Sequence, residues 1–89
     1  MTQVRLAIGY NTPAAYEKYG KDIWDLVETK FSELGIEEFG PFRSAQSYPP
    51  VQFVGLEVPY NVSLYDLGSV KLGDGIWTDF SVVDEYSEN

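Results

Sequence analysis

The sequence predicts an α+β fold: an antiparallel sheet of four to five strands with one long helix packed on one face, in the order β-α-β-β-β. Two observations predict it. Apolar residues recur at spacings of three and four up to Gly35, and the period changes to two after that residue. The chain has 89 residues, of which 44% are apolar and 22% charged, as is typical of one globular domain. We therefore expect a single domain over residues 1–89, with a frayed acidic tail at 84–89.

The first strand is predicted over residues 3–10, where apolar and other residues alternate. One face of this strand should be buried and consists of Val4, Leu6, Ile8 and Tyr10. The other face carries Arg5, Ala7 and Gly9.

The long helix is predicted from Pro13 to Leu34. Thr12 suits the N-cap, and proline is favoured at the first helical position. Gly35 suits the left-handed residue that follows a helix. Gly20 lies within the helix and costs about 1 kcal/mol relative to alanine, so we expect a bend or an interruption there. The predicted buried stripe consists of Tyr16, Tyr19, Ile23, Leu26, Val27, Phe31 and Leu34.

The remaining strands follow Gly35. A short strand is predicted over Phe42–Tyr48 and a stronger one over Val51–Val58, each ended by proline. Residues 62–67 are predicted to form a loop or a short helical turn. Gly73-Asp74-Gly75 is typical of a hairpin turn, which would join Val70–Leu72 to a last strand over Ile76–Val83.

Composition excludes several classes of function. The net charge is −8, so a nucleic-acid-binding surface is not expected, whereas cationic ligands or a basic protein partner would be favoured. The chain has no cysteine and no histidine, which excludes thiol nucleophiles, Ser-His catalysis and Cys/His metal sites. We therefore expect no enzyme activity, no cofactor and no metal. The sequence pattern shows no signal peptide and no membrane span, so a cytoplasmic protein is expected.

Several motifs follow one another at recognisable places. Trp24 lies in the helix, and Gly35-Ile36 and Gly40-Pro41 come after it. The next strand contains Gly55-Leu56-Glu57-Val58, and Leu72-Gly73-Asp74-Gly75-Ile76-Trp77 introduces the last strand. This pattern resembles the gyrase-inhibitor-like (GyrI-like) effector-binding superfamily, which includes ligand domains of AraC-type regulators. The resemblance implies a non-catalytic module that binds lipophilic, often cationic molecules. Members of that superfamily carry two such modules, so the resemblance implies one half, which a partner copy or another protein would complete; we predict a homodimer.

Strand alternation supplies candidate ligand-binding residues. Phe53, Glu57 and Trp77 are predicted to share the sheet face opposite the helix, above small residues and with Asp79. Glu57 would lie close to Trp77 if their two strands pair. Aromatic faces and a carboxylate suit a lipophilic cation, and Glu57 is the residue expected to give specificity. In the alternative interpretation, Phe53 and Trp77 lie in a dimer interface and Glu57 is a solvated charge.

Trp24 and Tyr16 are further candidates for the ligand site. Trp24 is predicted on the flank of the helix stripe, where it could line a groove with Phe31, and Tyr16 lies near the helix start, where it could place its hydroxyl at a cleft. The alternative for Trp24 is a place at the edge of the core, and for Tyr16 it is core packing with a solvated hydroxyl. Two hypotheses for function remain. The first is a small-molecule binding module, and the second is an acidic interaction or inhibitory module that docks on a basic, nucleic-acid-binding protein surface.

Overall fold

A computed structural model describes residues 2–83 of the chain. Its elements, in order, are β1 (Thr2–Tyr10), α1 (Pro13–Tyr19), a 3-10 turn (Gly20–Asp22), α2 (Ile23–Ser32), β2 (Arg43–Ser44), β3 (Gln52–Val58), α3 (Leu64–Gly68) and β4 (Ile76–Val82). The four strands form one antiparallel sheet in the order β2-β3-β1-β4. Together with the element order β-α-β-β-α-β, this is the ferredoxin-like topology. The predicted α+β class, antiparallel sheet and long helical segment are confirmed. The acidic tail lies outside the described residues.

Strand β1 lies in the middle of the sheet and pairs along its length with β3 on one side and β4 on the other. Its predicted buried face is confirmed, because the four residues on that face are each at most 7% exposed. The corresponding residues of β3 are Val54, Leu56 and Val58, which are also buried. These two rows of side chains form the sheet side of the core. The helix side is supplied mainly by Ile23, Val27 and Phe31.

The helical segment begins as predicted and is interrupted where predicted. The Thr12 Oγ1 accepts a hydrogen bond from the Ala15 amide at 3.2 Å, and Pro13 occupies the first turn. The interruption is the 3-10 turn that starts at Gly20. A β-carbon at this position would lie 2.6 Å from the Tyr16 ring, so the tyrosine takes up the space that a larger residue would need.

The end of the helical segment forms a Schellman motif. The Ile36 amide donates to the Phe31 carbonyl at 3.4 Å, and the Gly35 amide donates to the Ser32 carbonyl at 2.9 Å. Gly35 has a φ of 94°, in the left-handed region that favours glycine. Phe31 and Ile36 are both fully buried, so the motif also directs the chain back into the core.

Two predicted features after Gly35 are wrong in detail. The strand predicted over Phe42–Tyr48 is reduced to two residues, Arg43 and Ser44. The predicted hairpin does not form, because Val70–Leu72 is not a strand and β4 pairs with β1 instead. The glycine turn still reverses the chain: Gly75 has a φ of 82°, and its carbonyl accepts a hydrogen bond from the Asn11 amide at 2.7 Å. The region predicted as a loop or short helical turn contains the five-residue helix α3.

Candidate binding groove on the open sheet face

The sheet face opposite the helices, hereafter the open face, is built by the alternate residues of its strands. On β1 these are Gln3, Arg5, Ala7 and Gly9. The register of β3 places Glu57 beside Gln3, Gly55 beside Arg5 and Phe53 beside Ala7. The register of β4 places Asp79 beside Ala7 and Trp77 beside Gly9. The prediction that Phe53, Glu57 and Trp77 share one sheet face is therefore confirmed.

A groove of about 520 Å³ crosses this face over β3 and the neighbouring segment 40–43. Its floor contains Gly40 and Gly55, whose backbones lie against each other. The Gly40 amide donates to the Gly55 carbonyl at 2.7 Å, and a β-carbon at Gly40 would lie only 3.4 Å from the Gly55 backbone. Gly40 and Gly55, which are neighbours in space, thus leave a flat stretch of backbone that a ligand can approach closely.

One end of the groove is positively charged. The Arg5 guanidinium carbon lies 5.6 Å from the centroid of the Phe53 ring, within the range of a cation–π contact. Arg43 on β2 is paired directly with Phe53 and also lines the groove. These are the only two arginines of the chain. Both therefore flank the same aromatic residue, in a protein whose net charge is −8.

The other end of the groove carries Glu57. This residue is half-buried, and its Oε2 accepts a hydrogen bond from the Gln3 Nε2 at 3.0 Å. Glu57 is four positions after Phe53 on β3, which corresponds to about 13 Å along an extended strand. The groove therefore has a carboxylate at one end and two guanidinium groups near the other.

Trp77 lies outside this groove. Its predicted proximity to Glu57 required their two strands to pair, but β1 lies between β3 and β4. Trp77 is beside Gly9 and Glu57 is beside Gln3, six residues apart on β1, or about 20 Å along the strand. The structure thus brings Phe53 and Glu57 to the groove and places Trp77 at the opposite corner of the open face, where it is 40% exposed.

Trp24 and Tyr16 lie on the helix side of the sheet, away from the groove. The Trp24 ring makes edge-on contacts with Phe39, at 6.0 Å between centroids, and with Phe42, at 5.1 Å. Tyr16 packs in the same manner against Tyr10 and Tyr48. The structure separates both residues from the groove and supports the alternative interpretation of packing at the edge of the core.

Two tyrosines with hydrogen-bonded hydroxyls, Tyr10 and Tyr48, also lie on the helix side of the sheet. The Tyr10 hydroxyl donates to the Gln52 Oε1 at 2.6 Å, and the Gln52 Nε2 donates to the Ser44 hydroxyl at 3.2 Å. Burial, and to a smaller extent the neighbouring Tyr16, raises the pKa of Tyr10 to about 12. The Tyr48 hydroxyl donates to Glu17 at 2.9 Å, and this hydrogen bond raises the pKa of Tyr48. These groups stay neutral near pH 7 and act in packing.

Of the residues that line the groove, only Phe53 and Glu57 were predicted as site residues; Arg5, Arg43 and Gly40 are important members that were not. The alternation along β1 predicts Arg5 on the same face as Ala7, so the sequence did indicate that Arg5 lies on the open face. For Gly40 and Arg43 the sequence gives no such indication of the face, because a bulge between them interrupts the alternation of faces along this segment. Gly40 is opposite Gly55 and Arg43 is opposite Phe53, so one extra residue lies between them.

Within residues 2–83, no group of three or more acidic, histidine or cysteine side chains is placed to hold a metal ion. None of the described helices has the length and apolar character needed to cross a bilayer. No family model, curated protein or solved structure matches this chain. The resemblance to effector-binding domains stays a prediction from the sequence.

Proposed function

We propose that this protein is a non-catalytic module that binds a small, partly lipophilic molecule in the groove of the open face. The observation that carries the proposal is the glycine floor formed by Gly40 and Gly55 beside the Phe53 ring. A planar apolar group can lie on exposed backbone there and contact the aromatic side chain at the same time. The cytoplasmic location expected from the sequence is part of this proposal.

Glu57 gives the groove a preference for a ligand with a positively charged group. Its carboxylate has acceptor positions beyond the one used by Gln3, since an ionised carboxylate offers about four. A charge-assisted hydrogen bond and contact with an aromatic face each contribute on the order of 1 kcal/mol. A cationic aromatic molecule therefore gains from both features of the groove.

The first experiment fills the groove. A β-carbon at Gly55 meets nothing closer than 3.7 Å, so Gly55→Val adds bulk to the floor with little strain. Binding of 2-naphthylmethanol, a neutral probe, is measured by NMR titration of the amides of β1 and β3, because neither tryptophan lines the groove. We expect saturable shifts around Phe53 in the wild type and their loss in Gly55→Val. Wild-type shifts that do not saturate, or an unchanged affinity in the variant, would contradict the proposal.

The second experiment tests the charge at Glu57. The probe is 2-naphthylmethylammonium, compared with the neutral 2-naphthylmethanol. Glu57→Gln should weaken the ammonium ion about tenfold and leave the alcohol unchanged. Asp79→Asn is the matched control, because Asp79 is on the same face but does not line the groove. Equal effects of the two substitutions would show that net charge, rather than Glu57, attracts the cation.

The homodimer expected from the sequence remains a further proposal, and the open face supports it. This face exposes Trp77 and half-buries Phe53, and two copies placed face to face would turn the open groove into an enclosed one. We expect light scattering at high micromolar concentration to report twice the chain mass. Trp77→Ser should shift that equilibrium toward the monomer. A monomer at all concentrations would contradict the proposal.

The alternative function, an acidic module docking on a basic protein surface, is supported by the net charge of −8. The outer surface of α1, the 3-10 turn and α2 concentrates this charge only weakly, because acidic and basic side chains are interspersed on it. Its exposed charged residues are Glu17, Lys18, Lys21, Asp22, Asp25, Glu28 and Lys30. Salt-sensitive binding to a basic protein, unaffected by Gly55→Val, would favour this alternative over the groove.

A further inference from the structure

The positive end of the groove indicates the chemistry of a second group on the ligand. We propose that Arg5 and Arg43 bind the carboxylate of an aromatic acid whose ring lies on the floor formed by Gly40 and Gly55. This inference rests on the proposed function, since it concerns the same groove, and it names the class of ligand. The natural ligand would then be bipolar, with a positive group near Glu57 and an acidic group near Phe53.

The positions of the two arginines carry the inference. Arg43 on β2 is the direct partner of Phe53, and Arg5 on β1, the partner of Gly55, places its guanidinium carbon 5.6 Å from the centroid of the Phe53 ring. The strands β1 and β2 are about 10 Å apart, twice the usual spacing between neighbouring strands, so two long side chains can reach one group between them. A guanidinium offers a planar pair of donors that matches a carboxylate, and two of them can hold both of its oxygens.

The Arg5 side chain is already positioned for this task. Its guanidinium lies over the Phe53 ring, which limits the conformations that it samples and reduces the entropy lost when it binds a ligand. Contact with Phe53 alone would require only one arginine. Arg43 is the partner of Phe53 on β2 and also lines the groove, and an anion bound at this end would use both arginines of the chain.

The charge of the rest of the protein makes this end selective. A net charge of −8 repels anions at long range, so an acid is held only where local guanidinium groups offset that field. Glu57, the acidic residue of the groove, is about 13 Å from Phe53 along β3, and Asp79, outside the groove, is about 10 Å from Phe53 on the far side of β1. An acid at the Phe53 end therefore avoids Glu57, and a group of opposite charge on the same molecule can reach it.

The test compares 2-naphthoate with its neutral analogue 2-naphthamide, by calorimetry and NMR titration. We expect wild type to bind the acid at least tenfold more tightly than the amide. Arg5→Gln and Arg43→Gln should each weaken the acid five- to tenfold and leave the amide unchanged. The matched control is Lys71→Gln, which removes an exposed positive charge outside the groove and should have no effect.

Further variants and a competitor test the roles of the guanidinium groups and of the aromatic ring. Arg43→Lys keeps the charge but loses the planar donor pair, so a partial loss of affinity for the acid is expected. Glu57→Gln should weaken 2-naphthylmethylammonium and should not weaken 2-naphthoate. Equal binding of acid and amide by wild type would overturn the inference. It would leave the proposed function standing, provided that Gly55→Val still abolishes binding of the amide. Inorganic phosphate competing as well as naphthoate would also overturn it, because the ring would then contribute nothing.

Discussion

The indole ring of Trp77 lies directly over Gly9, its partner across the β1–β4 pairing, and a β-carbon at Gly9 would overlap the ring. Gly9 is buried beneath the indole although it belongs to the open face. The aromatic ring thus takes the place of the missing side chain and covers the backbone of the central strand.

We predict that Gly9→Ala destabilises the protein, because the added methyl group forces the indole off the strand. Overpacking of this kind costs about 1–3 kcal/mol, which urea unfolding measures. Gly55→Ala is the matched control on the next strand and should change the free energy of unfolding by much less. In the double variant Gly9→Ala, Trp77→Ala the two effects should not add, since the clash is absent. Additive effects would argue against this packing.

We predict that Gly35→Ala costs about 1–2 kcal/mol of stability. Its φ of 94° is unfavourable for any residue with a β-carbon, and the cost is conformational because nothing lies within 4 Å of the added atom. Gly68→Ala, at the end of α3, is the control. That site is equally open and has no positive φ, so stability should be unchanged or slightly increased. Equal losses at both positions would contradict the role given to Gly35.

We predict a loss of stability at alkaline pH that depends on Tyr10. The pKa of Tyr10 in the folded protein is about 12, above its ordinary value of 10.0, because burial disfavours the phenolate. Between these values the unfolded chain releases the proton while the folded chain keeps it, so the free energy of unfolding falls as pH rises from 10 to 12. Urea midpoints measured across this range should decline less steeply in Tyr10→Phe.

The same substitution has a separate effect near neutral pH. Tyr10→Phe removes the donor to Gln52, a buried side chain, and should cost about 1–2 kcal/mol at pH 7. An identical alkaline slope in wild type and variant would show that other groups cause the loss.

We predict that Trp24→Ala lowers stability by about 2 kcal/mol, less than for a fully buried tryptophan, because its ring is only half-buried against Phe39 and Phe42. Affinity of the groove for 2-naphthylmethanol should not change. A selective loss of affinity, with stability unchanged, would show that Trp24 takes part in ligand binding.

The parts of the fold that depend on local spacing could be predicted from the sequence. The alternation in β1 and the stripe of the helix identified the two sides of the core, and Gly20 marked the interruption. The position of Gly35 after the last helical turn also identified its left-handed conformation. In each case the physical cause acts within one turn or one strand.

The pairing of strands could not be predicted in this way. The turn at Gly73–Gly75 specifies a reversal of the chain but does not specify the strand with which β4 pairs. β4 pairs with β1 and not with the preceding segment Val70–Leu72. For this reason the prediction that Phe53, Glu57 and Trp77 share one face is correct, whereas Trp77 lies far from Glu57 because their two strands do not pair. The proximity of Arg5 and Arg43 depends on the positions of β1 and β2 on either side of β3, which the sequence does not specify.

The central place of β1 has a consequence for how the chain reaches this structure. Val4 pairs with Val82 and Tyr10 pairs with Ile76, so partners on the β1–β4 ladder are 66 to 78 residues apart in sequence. Such contacts give a high contact order, and proteins of high contact order fold in milliseconds to seconds rather than microseconds. On a ribosome, β1 would be synthesised before the other three described strands, but its pairing would be completed last, since β4 ends only at Val82. Until then the hydrophobic row of β1 has one strand partner at most, and its free edge is open to other chains.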